Sequence, residues 1–318
     1  MKIQSEDFSD GKTNMSDMLN YINSQLCSIG ENSRVIKITQ RNGNSTEIYE
    51  LFTDNDSRLF LRIPFYTDIS SINCYVLKQL LIMHIKAPRI IIGKFDIPSY
   101  KFSGTIESAV LGKAINIQPP IDDSIIRNFC NDLKKLHSWK IEGYGTLIGQ
   151  TILKGKHQFF VDNFYTECEY KLRSIVNDKI IRNSDMNMLL SIREQINKLY
   201  EDVIPSIVHG DLRHDHIFAE NGKYTGMVDF GDTMANDPYF DLAHLKVHSA
   251  SIFPKVEDYY MKGMNKDKMY RKRMLLLHLY SAIKSYFYGS MDNHNSDEVK
   301  IYANLIKNDF VELADLFS

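Results

Sequence analysis

Residues 207–232 constrain this chain more than any other stretch. They read IVHGDLRHDHIFAENGKYTGMVDFGD: an apolar strand, a polar loop, a short strand, a turn at Asn221-Gly222, a second short strand and a second polar loop. An Asn-Gly turn favours a tight hairpin, which folds the two polar loops back side by side. Each loop carries a carboxylate just after an apolar strand, Asp211 in His209-Gly210-Asp211 and Asp229 in Asp229-Phe230-Gly231. Asp211 and Asp229 are therefore expected to face one cleft.

Around this segment the apolar period changes along the chain. Residues 16–26 show a short helical pattern with Ser16 as the expected N-cap. Residues 34–39, 46–53 and 58–63 are rich in β-branched and aromatic side chains, separated by Asn42-Gly43-Asn44 and Asp54-Asn55-Asp56, and predict a three-stranded antiparallel meander. Residues 70–84 place Ile72, Val76, Leu77, Leu80 and Met83 at helical spacing, and two extended stretches follow Pro88, at 89–92 and 100–110. The expected class is α+β. A first domain, 1–111, is a small antiparallel sheet with one helix, and a second, 112–318, is mainly helical, with helices over 125–136, 159–176, 186–200 and 271–288.

A chain of 318 residues, 43% hydrophobic, is longer than one core usually grows, which fits two domains. The 38 Lys+Arg against 40 Asp+Glu leave no broad basic face for a nucleic-acid partner. The opening MKIQSEDFSD is too polar for a signal peptide and no apolar run is long enough to span a bilayer, so a soluble, cytoplasmic protein without a membrane partner is expected. Cys27, Cys74, Cys130 and Cys168 form no Cys-x-x-Cys pair and read as buried thiols in a reducing compartment.

Two carboxylates converging from separate loops suit phosphoryl transfer, which asks for a held metal–nucleotide complex and an aligned hydroxyl. The segments VHGDLRHDHIF and GMVDFGDTMANDPYFDLA resemble the catalytic-loop and metal-loop signatures of the aminoglycoside phosphotransferase family, antibiotic kinases with a bilobal protein-kinase-like fold. Weaker similarity extends to Arg62, to Leu136-His137 and to EGYGTLIGQ at 142–150. The resemblance implies a kinase that moves the γ-phosphate of ATP or GTP to a hydroxyl of a cationic, aminoglycoside-type antibiotic, giving resistance. By position it makes Asp211 the catalytic base and Asp229 and His216 the ligands of Mg²⁺, with Mn²⁺ an alternative. It places Arg62 on the phosphates, Asn44, Ser45 and Thr46 in the turn over the triphosphate, and the backbone near Ser108 and Val110 at the nucleobase. Asp241 is implied to brace the catalytic loop.

This sequence departs from the family pattern in three places. His216 stands where Asn is usual, Asn73 where many relatives carry a Glu that pairs with the basic residue, and Gly43 is the single glycine of the nucleotide loop. A lone Asp-Phe-Gly is an ordinary turn, and only the combination with Asp211 and His216 points to a site. His209 reads as a structural histidine, Arg213 and His214 as substrate contacts or solvated groups, the aromatic stretch 159–170 as helix packing, and the basic run 266–273 as a solvated face. Residues 201–241 hold nine Asp+Glu and two Lys+Arg, which suits a cationic substrate, whereas 242–290 hold nine Lys+Arg and three Asp+Glu. The alternatives are a metabolic kinase of choline, homoserine or a sugar, a catalytically weak nucleotide-binding regulator, and a metal-dependent hydrolase using His209, Asp211, His214, His216 and Asp229.

Overall fold

A computed structural model describes residues 14–41, 43, 46–65, 69–116, 121–149, 152–293 and 296–317. The chain divides into two compact units, Met1–Leu111 and Gly112–Ser318.

The first unit contains α1 (Met15–Ser28), β1 (Val35–Arg41), β2 (Thr46–Thr53), β3 (Arg58–Pro64), α2 (Ser70–Ile82), β4 (Ile90–Phe95) and β5 (Gly104–Ser108). Its strands form one antiparallel sheet in the order β1-β2-β3-β5-β4, so the expected meander is present. The unit holds two helices, α1 over the helical pattern read at 16–26 and α2 over that at 70–84, so the expected sheet with one helix leaves out α1. Met18, Ile22 and Leu26 recur every four residues on α1 and join Leu51, Leu61 and Ile106 in the core. Asn14, not Ser16, caps this helix, its side-chain oxygen accepting the Ser16 N–H at 3.1 Å.

Strand alternation then fixes the other face. Leu59, Leu61 and Ile63 of β3 point into the core, so Phe60 and Arg62 lie on the opposite side of the sheet. β5 is registered with Thr105 opposite Arg62 and Glu107 opposite Phe60, which sets Arg62 and Glu107 as diagonal neighbours on that face.

The second unit contains β6 (Lys113–Ala114), α3 (Asp123–Ser138), β7 (Tyr144–Ile148), β8 (Lys154–His157), α4 (Phe160–Asn177), α5 (Asn183–Ser191) and α6 (Arg193–Leu199). It continues with β9 (Ser206–Val208), β10 (Ile217–Glu220), β11 (Lys223–Met227), β12 (Met234–Asn236), α7 (Tyr239–His248), α8 (Phe253–Tyr260), α9 (Lys268–Asn293) and α10 (Asp297–Phe317). Two small sheets, β11-β10-β6 and β8-β7-β12-β9, carry the loops of interest. The single helix expected over 186–200 is two, broken at Ile192, which caps both. Residues 234–236, assigned no element from the sequence, form a strand because β12 pairs with both β7 and β9. In α9, Leu276, Leu277, Leu279, Ala282 and Ile283 are all fully buried, as expected of a helix packed on most of its circumference.

Two side-chain expectations are changed. Arg273, within the basic run read as solvated, donates to both oxygens of buried Asp237 at 2.6 and 2.7 Å and lies over Tyr239, because a guanidinium can satisfy a buried carboxylate with two parallel bonds. Cys27 is exposed near the end of α1, while Cys74, Cys130 and Cys168 are buried free thiols. The aromatic stretch does pack helices, with Phe160 stacked on Phe164 and on Tyr200. Among the described residues no helix is long and apolar enough to cross a membrane.

Candidate active site

The site of the second unit is built by the hairpin read from Asn221-Gly222. β10 and β11 pair antiparallel, and both turn residues have positive φ, 49° and 72°, as a two-residue hairpin of this kind requires. The loop after β9 carries Asp211, and the loop after β11 carries Asp229. They touch through Gly210, at φ +86°, where an added Cβ would lie 1.9 Å from the Asp232 carbonyl oxygen. No other residue fits that approach. His209 ties the loops further, donating from Nε2 to the Val228 carbonyl at 2.8 Å, while the Asp211 N–H reaches its Nδ1 at 3.4 Å. Its ring is fully buried, and burial, with the neighbouring His216, lowers its pKa, so it is a neutral structural histidine.

Asp241, in the first turn of α7, braces the loop that carries Asp211. Its Oδ2 accepts from the His209 N–H at 2.8 Å and from His137 Nε2 at 2.9 Å, and its Oδ1 accepts from the Gly210 N–H at 3.0 Å. The Tyr260 hydroxyl completes His137 at 2.7 Å. Burial alone would raise the Asp241 carboxyl, but the bond and charge of His137, with His209 and the Gly210 N–H, hold it below the ordinary range.

Asp211, His216 and Asp229 come together. His216, in a short 3₁₀ turn, donates from Nδ1 to the Asp211 carbonyl at 2.7 Å. A carbonyl only accepts, so Nδ1 carries the proton and Nε2 keeps a lone pair in the neutral ring. That lone-pair nitrogen lies 3.8 Å from Oδ2 of Asp229. Asp229 itself adopts a left-handed conformation, φ 66° and ψ 59°, which turns its carboxylate out of the strand direction. The Asp211 Oδ1 accepts from His244 Nε2 at 2.9 Å, and its Oδ2 lies 3.9 Å from His216 Nδ1. Burial pushes Asp211 up, yet the hydrogen bond donated by His244, with the nearby His216 and Arg213, outweighs it and keeps the carboxylate ionised well below the usual range. Asp211 thus has the lone pairs of a base and Asp229 with His216 the donors of a cation site. Among the described residues no group of three or more His, Cys, Asp or Glu could by itself hold a metal.

Arg213 is paired with Asp215, and His214 is anchored to the Ser249 hydroxyl by both its backbone N–H and its ring. In the first unit, Arg62 Nε lies 3.5 Å from Glu107 Oε2, and Thr105 donates to the other Glu107 oxygen at 3.3 Å. Thr46 opens β2 opposite Pro64, and Asn44 and Ser45 lie outside the described residues. The Ser108 N–H is committed to the Arg89 carbonyl at 2.8 Å, its hydroxyl accepts the Arg89 N–H at 2.9 Å, and Val110 is buried two residues on. Two participants escaped the sequence reading. Glu107 carries no local motif, while His244 stands three residues after Asp241 and four before His248, a helical spacing that could have flagged it.

An ionised carboxylate beside a metal-type donor pair, joined by a hairpin and braced by a buried Asp, defines a kinase-like phosphotransferase unit. Residues 108–265 match the phosphotransferase enzyme family (APH). The chain belongs to that family, and it is a phosphotransferase acting on hydroxyl groups. Its fold is similar to the crystal structure of aminoglycoside phosphotransferase APH(4)-Ia, with TM-score 0.68, 12% identity, and coverage of 94% of this chain and 99% of the other. A thermostable mutant of that enzyme in ternary complex with ADP and hygromycin B matches with TM-score 0.67 at 12% identity, over 92% and 97%. The GDP and kanamycin complex of the aminoglycoside 2″-phosphotransferase-IIIa matches with TM-score 0.62 at 15% identity, over 92% and 99%. No curated protein matches the chain by sequence.

Proposed function

We propose that the protein transfers the γ-phosphate of ATP or GTP to a hydroxyl of an aminoglycoside-type antibiotic and so gives resistance by phosphorylation. The observation that carries this reading is the Asp211–His216–Asp229 constellation in a chain of the phosphotransferase enzyme family. In the proposed step the Asp211 carboxylate takes the proton of the acceptor hydroxyl as that oxygen bonds to the γ-phosphorus. The bond to the β–γ bridging oxygen breaks, and its electron pair leaves with the nucleoside diphosphate.

Asp229 Oδ2 and the unprotonated Nε2 of His216 fit a divalent cation, and in this reading they hold Mg²⁺, or Mn²⁺, together with phosphate oxygens and water. A cation there neutralises charge on the phosphates. Arg62, braced by Glu107, contacts the phosphates, with Asn44, Ser45 and Thr46 over them and the backbone near Ser108 and Val110 at the nucleobase. The first unit is thus the nucleotide-binding one and the second the catalytic and acceptor-binding one.

Two facts support a cationic antibiotic as acceptor. Relatives of the same fold were solved with hygromycin B and with kanamycin, and residues 201–241 hold nine acidic and two basic side chains. The second reading is a metabolic kinase of a small alcohol: residues 242–290 hold nine basic side chains against three acidic ones, so the acidic character that suits a polycationic antibiotic does not extend through the second unit. A panel of aminoglycosides and small alcohols, each with γ-labelled ATP and GTP, tests both. Labelled antibiotic supports the first reading; label only on choline, homoserine or a sugar replaces it with the second.

A further inference from the structure

The Asp211 carboxylate is not held by the catalytic loop alone. One of its oxygens is engaged from the far side by His244, a residue of α7 that is 4% exposed and belongs to no motif of the site. His244 Nε2 lies 2.9 Å from Asp211 Oδ1, and its Nδ1 lies 2.8 Å from the hydroxyl of Ser281 on α9. A carboxylate accepts, so Nε2 must be the donor; in the neutral ring Nδ1 then accepts the Ser281 proton. Ser281 is fully buried, and its hydroxyl satisfies the second ring nitrogen while the Asp211 carboxylate sets the tautomer.

A second histidine–serine pair lies one turn along both helices, engaged through the other ring nitrogen. His248 Nε2 meets the Ser285 hydroxyl at 2.8 Å, and Ser285 donates to the Ser281 carbonyl at 2.8 Å. The two imidazoles are 4.3 Å apart, and Tyr302 of α10 meets His248 Nδ1 at 3.2 Å. His244 is thereby confined by packing as well as by hydrogen bonds, which is what precise placement of a catalytic group requires.

We propose that His244 is a positioning residue for phosphoryl transfer. With its Nδ1 held by Ser281, it donates from Nε2 to Oδ1 of Asp211 and so leaves Oδ2 as the oxygen that receives the acceptor proton. The inference rests on Asp211 being the base. Proton movement is otherwise unchanged: the hydroxyl proton goes to Oδ2, and His244 keeps its own.

Glutamine and asparagine separate this role from a structural one. A Gln at 244 sets its amide nitrogen where Nε2 stands and still reaches Asp211, whereas an Asn stops near Nδ1 and reaches only Ser281. The probe acceptor is water, present in every assay, with label release followed from Mg-ATP and Mg-GTP in full-length protein. His244→Asn should lower kcat about 10- to 100-fold, the worth of one charge-assisted hydrogen bond, with KM for nucleotide unchanged, while His244→Gln stays within about threefold. In an Asp211→Asn background the His244→Asn change should cost nothing further. If His244→Asn does not fold, Ser281→Ala replaces it, with a loss of about three- to tenfold expected, again abolished in the Asp211→Asn background. Equal effects of Asn and Gln, or a loss that persists without the Asp211 carboxylate, would overturn the positioning role and leave the base intact. An Asp211→Asn protein that keeps more than about a tenth of wild-type kcat would remove the base assignment, and the inference with it.

Discussion

Arg62 and Glu107 lie on adjacent strands of the five-stranded sheet, and the guanidinium Nε is 3.5 Å from the carboxylate. This pairing supplies Arg62 with an acidic partner although Asn73 stands in α2 where a Glu would be usual. The brace comes from the neighbouring strand, two residues along from the position directly opposite, and its side chain is nearly buried. An acid on β5 is held by backbone register, so it cannot swing away as a helix does when that helix shifts.

Arg62→Ala should raise the nucleotide dissociation constant about 10- to 100-fold, the worth of one charge-assisted contact to phosphate. Glu107→Gln keeps the shape but loses the charge, and should raise it only several-fold. Calorimetric titration with ADP and GDP checks both; an unaltered affinity in Arg62→Ala would confine that residue to a surface role.

Asp211→Asn should bind nucleotide nearly as the parent protein does and lose about two to four orders of magnitude in kcat, as expected when a positioned base is removed. Binding and turnover need to be measured on the same preparation. A joint loss of both would instead point to collapse of the loop that Asp241 supports.

For the metal donors the matched substitutions are Asp229→Asn and His216→Asn. Asparagine tolerates the left-handed backbone found at Asp229, so the first change removes charge without adding strain. It should weaken nucleotide binding about tenfold or more with Mg²⁺ present and hardly at all in EDTA. Imidazole favours Mn²⁺ over Mg²⁺ relative to an oxygen donor, so His216→Asn should lower the Mn²⁺ to Mg²⁺ activity ratio. An unchanged ratio would put His216 outside the metal's coordination sphere.

Stability should fall on the acid side of neutrality. Burial first, and the adjacent His244 second, lower the His248 pKa from 6.5 to about 3. Between those values the unfolded chain binds the proton and the native ring does not, so stability is full above the unfolded pKa and declines as pH drops towards the folded one. One such ring contributes a slope of up to about 1.4 kcal/mol per pH unit. Thermal melts from about pH 7.5 to about pH 4.5 should show a falling midpoint, with a shallower fall in His248→Gln. The depressed carboxyls of Asp211 and Asp241 act in the same direction, but only below their ordinary value of 3.8. An identical slope in His248→Gln would show that this ring is not the linked group.

The constellation of the second unit was legible because it is local. Asp211, His216 and Asp229 fall within nineteen positions joined by a two-residue turn, so loop chemistry and strand polarity suffice to bring them together. The sheet of the first unit was legible for a related reason, since its meander strands are separated by obvious turn clusters. His244, Ser281 and Glu107 were not, because each acts through a partner far away in sequence and their own neighbourhoods are ordinary helix or strand. The third strand of the β7-β12-β9 arrangement was missed on the same grounds: residues 234–236 have little strand character of their own and are extended because two neighbours pair with them. Arg273 shows the converse error, where a run of basic letters suggested a wet surface while one member is spent on the buried Asp237.

The hairpin that joins the two carboxylate loops also separates the parts of the chain that tolerate insertion from those that do not. Its base, from Ile217 opposite Met227, is buried and fixes the spacing of Asp211 and Asp229, while Glu220, Asn221, Gly222 and Lys223 at its tip are exposed. Extra residues at the tip would lengthen the arm outward without altering the register at the base. That tip is therefore a natural port for a fluorophore or an affinity handle, attached a few residues from the chemistry yet mechanically insulated from it.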